Sequence, residues 1–427
     1  MQLRRISLAL LVASTICHAA NADDWRQFRG PQSNGVIDDA KLPEVWGVDS
    51  NIKWKVPVPG EGWSAPIVVG QKVILTTSVS NGQKDVNSDH AWKVICLDAS
   101  SGKTVWSQDA LNSKPRLGTH RDNTYATETP VTDGTRVVVY FGMMGVFCYD
   151  LDGNALWQKD IGNYPMKNDW GTGSSPIIHN GLVILQVDNE QSSFLVAMDV
   201  ATGEEKWRKS REETSNWGSP IIWTNSQRTE LVTGGKTIRS YNPDDGTLLW
   251  QATSNVGGFS STASGNADLL VVGHQGRDGA GMMVVKAGAS GDVSLKPNET
   301  SNSSILWSTK EFAPQRSSPL VMDGRIMLLG GRGGIVTCVD ALSGEKLYQE
   351  RLPGAGAFWA SPWSNRGHVY CPDENGNTFV LKSSPKLELI YVNKLPEENA
   401  RYWATSAASD GTLYIRSTNT VYAVSAM

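Results

Sequence analysis

The chain has little charge and few of the residues that build common catalytic centres. Only 19% of its 427 residues are Asp, Glu, Lys or Arg, and it contains six His and five Cys. The histidines show no H-x-x-x-H spacing of the kind that binds zinc, no G-x-S-x-G nucleophile turn occurs, and no two Cys are adjacent. The basic residues are not clustered and the formal net charge is -4, which argues against a nucleic-acid partner. The sequence therefore offers no established catalytic motif.

Long hydrophobic runs are also absent after the first residues. Arg4 and Arg5 precede an apolar run, 6–16, that is too short to span a bilayer, and a small-residue site follows it. This pattern predicts a signal peptide over 1–22, cleaved after Ala22, and hence a periplasmic or secreted protein with no transmembrane segment. Cys17 raises the alternative of lipidation, but an Ile stands before it where that processing needs a small residue. Cleavage would remove two Arg and no acidic residue, taking the net charge from -4 to -6.

Glycine and tryptophan are abundant, and both recur at regular intervals. The stretch "RSSPLVMDGRIMLLGGRGGIVTCVDALSGEKLYQE" (316–350) contains four short β-type runs with a tight turn after each of the first three. Similar units end in an aromatic residue, and successive aromatics lie 52, 51, 50, 43, 57, 41 and 43 residues apart. These aromatics are Trp54, Trp106, Trp157, Trp207, Trp250, Trp307, Tyr348 and Tyr391. Four strands per unit at this period are typical of a propeller blade, with each closing aromatic expected to wedge against the next blade.

The two ends of the repeat array complement each other. An eighth unit begins at Trp403 but has no fourth strand, whereas "NIKWKVPV" (51–58) looks like a fourth strand with no blade of its own. Joining them would remove two exposed sheet edges. We therefore predict an all-β fold over 51–427, an eight-bladed β-propeller of four-stranded antiparallel blades, closed by insertion of the N-terminal strand into the last blade. Residues 23–50 are predicted to be a leader that packs on the ring.

The motif x-D-x-x-[ST]-G-x-x-x-W, as in "LDASSGKTVW" and "MDVATGEEKW", resembles the PQQ-like β-propeller repeat family. That family includes quinoprotein dehydrogenases and the outer-membrane assembly factor BamB, and the resemblance covers about residues 50–427. It implies the fold, but a shared fold does not settle a shared function.

The long connections should collect on one face of the ring, because the hairpin turns within the repeat are short. This loop-rich face carries a recurrent aromatic before each first strand and several charged residues between them. The residues predicted to surround the mouth of the central channel are Arg121, Asp169, Trp170, Trp217, His274, Arg316, Arg332, Trp359, Asp373, Arg401 and Trp403. A concave surface rich in Trp and Arg suits a peptide or a flat ligand. The alternative is that the aromatics are packing wedges and the charges only solvate loops.

Three functions fit this surface. The first is an exported, non-catalytic scaffold that is BamB-like in fold and binds a protein or small ligand, is monomeric, and has neither catalytic nor metal residues. The second is an enzyme, the quinoprotein dehydrogenase that the resemblance allows, with pyrroloquinoline quinone and calcium as cofactors and alcohols or sugars as substrates. Its carboxylate candidates are Glu128, Asp169 and Asp188, and its candidates for stacking on the quinone are Trp217 or Trp359, although the vicinal Cys pair typical of that group is missing. The third is carbohydrate binding through Trp217 or Trp359.

The remaining cysteines occupy related places in the repeat. Cys96, Cys148 and Cys338 each lie two residues before the Asp of a third strand, and therefore belong to different blades. Facing sheets are about 10 Å apart, whereas a disulfide needs Cα atoms within about 7 Å. We predict buried free thiols. Cys371 lies elsewhere in its blade, so a disulfide partner for it is the remaining alternative.

Overall fold

The computed structural model describes residues 24–39, 41–254, 256–276, 279–395 and 400–426. The predicted signal peptide and its cleavage after Ala22 lie outside the described residues. The described chain forms eight antiparallel sheets arranged as a ring, so the predicted eight-bladed propeller is confirmed. Its helical segments are the 3₁₀ turns Gly142–Met144 and Lys167–Asp169. No helix among the described residues is long and apolar enough to cross a membrane.

Each blade runs from an inner strand at the axis to an outer strand at the rim. Two strands come before the first full blade: β1 (Val36–Ile37) and β2 (Ile52–Pro57). Blade 1 is β3 (Ile67–Val69), β4 (Lys72–Val79), β5 (His90–Asp98) and β6 (Thr104–Ser113). Blade 2 is β7 (Val131–Thr132), β8 (Arg136–Tyr140), β9 (Val146–Asp150) and β10 (Ala155–Lys159). Blade 3 is β11 (Ile177–His179), β12 (Leu182–Val187), β13 (Phe194–Asp199) and β14 (Glu205–Ser210).

The remaining blades keep this order, with one added edge strand. Blade 4 is β15 (Ile221–Thr224), β16 (Thr229–Thr233), β17 (Thr237–Tyr241) and β18 (Leu248–Thr253). Blade 5 begins with β19 (Ser264–Gly265), β20 (Leu269–Gly276) and β21 (Gly279–Lys286). The short β22 (Gly291–Asp292) then pairs parallel with β18 of blade 4, and β23 (Ile305–Thr309) is the fourth strand of blade 5. Blade 6 is β24 (Leu320–Met322), β25 (Arg325–Leu329), β26 (Ile335–Asp340) and β27 (Lys346–Arg351). Blade 7 is β28 (Trp363–Asn365), β29 (His368–Pro372), β30 (Asn377–Lys382) and β31 (Leu389–Lys394). Blade 8 is β32 (Ala407–Ser409), β33 (Thr412–Arg416), β34 (Thr420–Ser425) and β2.

The outer strand of blade 8 comes from the other end of the chain. Strand β2 pairs antiparallel with β34, and Trp54 lies opposite Ala423 and Val56 opposite Val421. The blade thus reaches the same four strands as its neighbours. The pairing covers the edge of β34, which would otherwise present unpaired backbone groups to solvent.

A tryptophan at the outer strand links each of several blades to the next. The indole Nε1 of Trp54 donates a hydrogen bond to the carbonyl oxygen of Ala99, 3.0 Å away in the turn between β5 and β6 of blade 1. The same bond joins Trp106 to Leu151, Trp157 to Val200 and Trp307 to Ala341. A Cβ added to Gly102 would lie 2.8 Å from the Trp54 ring, so this turn needs glycine for space as well as for its positive φ. The predicted wedge role is confirmed for these four tryptophans, whereas the Trp250 indole donates to Glu230 of its own blade and Tyr391 is exposed.

The leader lies across the face of the ring that carries the short turns between first and second strands. Trp25 exchanges backbone hydrogen bonds with Val68 in blade 1, and the Arg26 carbonyl accepts one from Thr132 in blade 2. The leader then crosses the axis to blade 6, where Arg29 Nη2 donates to the carbonyl of Pro319 at 2.7 Å. Strand β1 pairs parallel with β28 of blade 7 before the chain enters blade 8. The leader therefore docks on the ring as predicted, and it passes beneath the central channel.

The four cysteines of the described chain are free and buried, as predicted. Burial raises the pKa of Cys96 and Cys148 to about 12 and that of Cys338 to about 11, and it also raises the pKa of Cys371. These side chains act as small apolar groups in the layers between blades.

Candidate functional site

A cavity of about 890 Å³ opens around the axis on the loop-rich face, and we call it the funnel. Its wall is built from the connections that lead into the first strand of each blade and from the turns between second and third strands. Phe28 of the leader belongs to the lining, so the leader contributes to the end of the cavity opposite the mouth. A rigid ring thus supports a concave surface made of loops, which is where binding sites commonly lie.

Three tryptophans form a stack on one side of the funnel. The Trp359 and Trp403 rings lie parallel, with 3.7 Å between their centroids and an interplanar angle of 11°. Trp63 continues the group, with its centroid 4.8 Å from that of Trp403. Arginines pack on two of these rings: the Arg316 guanidinium carbon lies 3.6 Å from the centroid of Trp359, and that of Arg401 lies 4.8 Å from the centroid of Trp403. Cation–π attraction and packing fix these groups in place.

A second aromatic group stands on the wall formed by blades 2 to 4. Trp170 and Trp217 lie 5.7 Å apart, and His120 meets Trp170 edge to face at 5.6 Å. The Trp217 indole donates to the carbonyl of Gly171 at 2.7 Å, which fixes its orientation. Both groups therefore pack against neighbouring side chains and also line the cavity. The two interpretations from the sequence, packing wedges and a binding surface, are compatible for these aromatics.

One carboxylate, Asp122, was not predicted by the sequence analysis. It lines the funnel and lies 3.7 Å from Arg401, 3.9 Å from Arg121 and 3.8 Å from His120. Its backbone N–H donates to His120 Nδ1 at 3.1 Å. The loop 114–130 is long and irregular, and no sequence signal indicated which of its charged residues would face inward.

Burial perturbs two other groups on the wall. It lowers the pKa of His274 to about 4, so this side chain is neutral at pH 7, where it packs against Phe259 at 5.5 Å. Burial also lowers the pKa of Arg316, and the nearby charge of Arg332 acts in the same direction, against opposing contributions from Asp122 and Glu374.

A ring of hydroxyl groups surrounds the funnel below the aromatics. In seven of the eight blades a Ser or Thr hydroxyl accepts a hydrogen bond from the backbone N–H of the equivalent residue in the preceding blade, at 2.9–3.1 Å. The hydroxyl residues are Thr129, Ser175, Ser219, Thr262, Ser318, Ser361 and Thr405. Blade 1 has Ala65 at this position, and the series of bonds is interrupted there. The signal was present in the sequence, because five of the seven residues directly precede a proline.

The structure brings most of the predicted mouth residues together. Those that line the funnel are Trp170, Trp217, His274, Arg316, Arg332, Trp359 and Trp403. Arg401 lies at the rim over Trp403, and Arg121 is 87% exposed beside Asp122. Asp169 is exposed next to Gly118 and is not part of the lining.

The placement of Asp373 at the mouth is a correction. This residue is completely buried, and its carboxylate accepts hydrogen bonds from the backbone N–H groups of Gly356, Asn375 and Asn377. The Asn377 side-chain amide also donates to it. Asp373 therefore fixes the turn between β29 and β30.

The residues proposed to hold calcium do not converge. Asp188 is fully buried in an ion pair with Arg211, with 2.8 Å between Oδ1 and Nε, Asp169 is exposed, and Glu128 is buried beside Thr172. Across the described ranges, no group of three or more His, Cys, Asp or Glu is arranged to hold a metal ion. Trp359, proposed to stack on a quinone, has one face on Trp403 and the other under Arg316. The carboxylate candidates and Trp359 therefore do not fit the quinone and calcium pair.

The fold and the funnel define a β-propeller with a cavity on its axis, and comparison with known proteins identifies the family. A family model described as outer membrane protein assembly factor BamB matches residues 43–216, 90–277 and 234–426. The chain belongs to this family, within the predicted PQQ-like propeller group. The outer membrane protein assembly factor BamB of Yersinia pestis is 22% identical over 414 residues, covering 93% of this chain and 83% of that protein.

Solved structures agree on the fold. The quinohemoprotein alcohol dehydrogenase from Comamonas testosteroni has a TM-score of 0.59 at 13% identity, over 96% of this chain and 81% of that one. The computationally designed Ika8 protein has a TM-score of 0.54 at 14% identity, over 92% of this chain and 99% of that one. At these identities the likeness shows the architecture alone.

Proposed function

We propose that this protein is an exported, non-catalytic propeller that binds a polypeptide partner in the funnel. The observation that carries the proposal is the group of Trp63, Trp403 and Trp359 on the wall of a cavity of about 890 Å³, with Arg316 over Trp359 and Arg401 over Trp403. Tryptophan and arginine are the residues most enriched among the energetic centres of protein interfaces. The family match supports a protein partner, because the BamB relative is described as an assembly factor.

The hydroxyl ring and the interlocked blades support binding without large rearrangement. Seven hydrogen bonds join equivalent positions around the axis, and outer-strand tryptophans join blade to blade. A preorganised surface loses little conformational entropy when a partner binds. The partner is therefore expected to adapt to the funnel more than the funnel adapts to it.

Selection from a random peptide library tests the proposal. The folded protein is immobilised, bound peptides are enriched, and their affinities are measured for the wild type and for Trp403→Ala. Peptides that bind the wild type and lose about tenfold or more in affinity on Trp403→Ala support binding at the stack. A Trp207→Ala variant, changed at the rim of blade 3, is the matched control and should keep the affinity. Failure to enrich any peptide that depends on Trp403 would contradict the proposal.

A redox assay separates the proposal from the dehydrogenase alternative. The protein is supplied with pyrroloquinoline quinone and calcium, and dye reduction is followed with alcohols and sugars. We expect no turnover above the cofactor alone, and turnover would overturn the non-catalytic assignment. The carbohydrate alternative requires an open Trp face, whereas Trp359 is covered on both sides. Glycan binding that is lost on Trp217→Ala would favour that alternative instead.

A further inference from the structure

The wall of the funnel carries a charge opposite to that of the whole chain. Among the described residues, the charged side chains that line the cavity are three cations, Lys167, Arg316 and Arg332, and one carboxylate, Asp122. His274 is neutral at pH 7 because its pKa is lowered to about 4. The complete sequence has a formal net charge of -4, so the excess of positive charge is local to this surface. Charge of one sign in a concave site attracts a ligand of the opposite sign.

Two of these cations have no carboxylate partner. Among the described residues, no Asp or Glu oxygen lies within 4.0 Å of the guanidinium of Arg316 or Arg332. Asp122 instead lies 3.7 Å from Arg401 and 3.9 Å from Arg121. These two arginines are not part of the cavity lining. The Arg316 guanidinium donates a hydrogen bond from Nη1 to the carbonyl of Gly331, at 3.3 Å.

The structure holds these two arginines in neighbouring positions. The Arg316 guanidinium lies over Trp359, and Gln315 accepts a 2.7 Å hydrogen bond from the backbone N–H of Gly331, the residue before Arg332. The following Gly334 has φ +64°, and a Cβ added there would lie 2.6 Å from the Cβ of Ala355. This close packing fixes the turn that presents Arg332. The repulsion between two neighbouring positive charges is reduced when an anion lies between them.

We propose that Arg316 and Arg332 form the anion-binding part of the funnel and that they take a carboxylate presented by an acidic segment of the polypeptide partner. This inference rests on the proposed function and names the chemistry of the partner. A guanidinium has a planar pair of N–H donors that matches a carboxylate, and the two together can bind one from both sides. The carboxylate belongs either to Asp or Glu side chains or to the C terminus of the partner.

Synthetic peptides test this inference directly. A short Glu-rich peptide, the same peptide with an amidated C terminus, and a Lys-for-Glu version are titrated against the full folded protein by fluorescence anisotropy. We expect the Glu-rich peptide to bind, the Lys version not to bind, and binding to weaken as salt is raised. Loss of binding on amidation assigns the carboxylate to the C terminus, and retention assigns it to side chains.

Variants separate specific recognition from general charge attraction. Arg316→Gln and Arg332→Gln should each weaken binding of the Glu-rich peptide about tenfold or more. Arg366→Gln, exposed in the short turn of blade 7 on the opposite face, removes the same charge and should leave affinity unchanged. Equal weakening by all three variants, or binding of the Lys version, overturns the inference. If library peptides depend on Trp403 but show no acidic enrichment and no dependence on Arg316, the inference fails while the proposed function stands.

Discussion

The indole of Trp359 lies between two other planar groups, with Trp403 at 3.7 Å on one face and the guanidinium of Arg316 at 3.6 Å on the other. Neither face of this ring is free to receive a flat ligand or a sugar. A partner can therefore meet Trp359 only at its edge. This relationship favours binding through the shape and charge of the wall over stacking on an open aromatic face.

The centre of the tryptophan stack should contribute to stability as well as to binding. Trp403 contacts both Trp63 and Trp359 and is 8% exposed, so Trp403→Ala should lower the free energy of unfolding by about 3 kcal/mol. Trp403→Phe keeps part of the packing and should cost less. Urea unfolding followed by circular dichroism measures both. Equal stability of the alanine variant and the wild type would show that the stack is not a packing element.

The seam between blades 8 and 1 gives a second prediction. Trp54→Ala removes the hydrogen bond to Ala99 and the contact with Gly102, so β2 should hold β34 less firmly. We expect faster amide hydrogen exchange in β34, measured by mass spectrometry. Trp106→Ala makes the equivalent change between blades 1 and 2 and is the matched control, which should leave exchange in β34 unchanged. Unaltered exchange of β34 in Trp54→Ala would argue against this seam as the closing contact.

Stability should depend on pH through Glu128. Burial raises the pKa of this carboxyl from 4.5 to about 7, against a smaller lowering by the Thr172 hydroxyl, and its Oε1 has no hydrogen-bond partner. Because the folded pKa is the higher one, the folded state binds more protons between these pH values. The contribution of Glu128 to stability is therefore fully present below about pH 4.5 and is lost as the pH rises to about 7.

The matched variant for this effect is Glu128→Gln, which cannot ionise. The free energy of unfolding of the wild type, relative to that of the variant, should fall by about 3 kcal/mol between pH 4.5 and pH 8. Asp169→Asn changes an exposed carboxylate on a neighbouring loop and should not reproduce the difference. A constant difference between wild type and Glu128→Gln across this range would contradict the raised pKa.

The buried thiols give a fourth prediction. Cys96, Cys148, Cys338 and Cys371 are free, and burial raises the pKa of each, so little thiolate is present and access is blocked. Iodoacetamide should not modify them in the folded protein at pH 8, whereas all four should react in guanidinium chloride. Intact and peptide mass spectrometry counts the adducts. Native labelling of any one of them would mean that its blade interface opens.

The repeat made the ring predictable, because each blade needs the same glycine turn and the same closing aromatic. The turn at Gly102 and the wedge at Trp54 follow from local chemistry, so the sequence indicates both. The contact from Arg29 to Pro319 could not be predicted, since it joins residues 290 positions apart and depends on the finished ring. Distance along the chain, not residue type, limited the prediction of where the leader lies.

The candidate site shows the same division. Trp359 and Trp403 belong to the repeat and were predicted at the mouth, whereas Asp122 lies in an irregular loop and was missed. Asp373 was misplaced because a carboxylate that fixes a turn has the same sequence appearance as one that faces a cavity. Its four hydrogen bonds to nearby N–H groups are visible only in three dimensions.

The leader passes beneath the axis of the ring, and this limits the routes by which a bound chain can enter and leave the funnel. Phe28 belongs to the cavity lining and the leader is bonded to blades 1, 2 and 6, so the leader lies across the path of a chain that would pass from one face to the other. A partner that enters the funnel from the loop-rich face is then expected to leave through the same opening. Its residence time would depend on how fast it is released at that face.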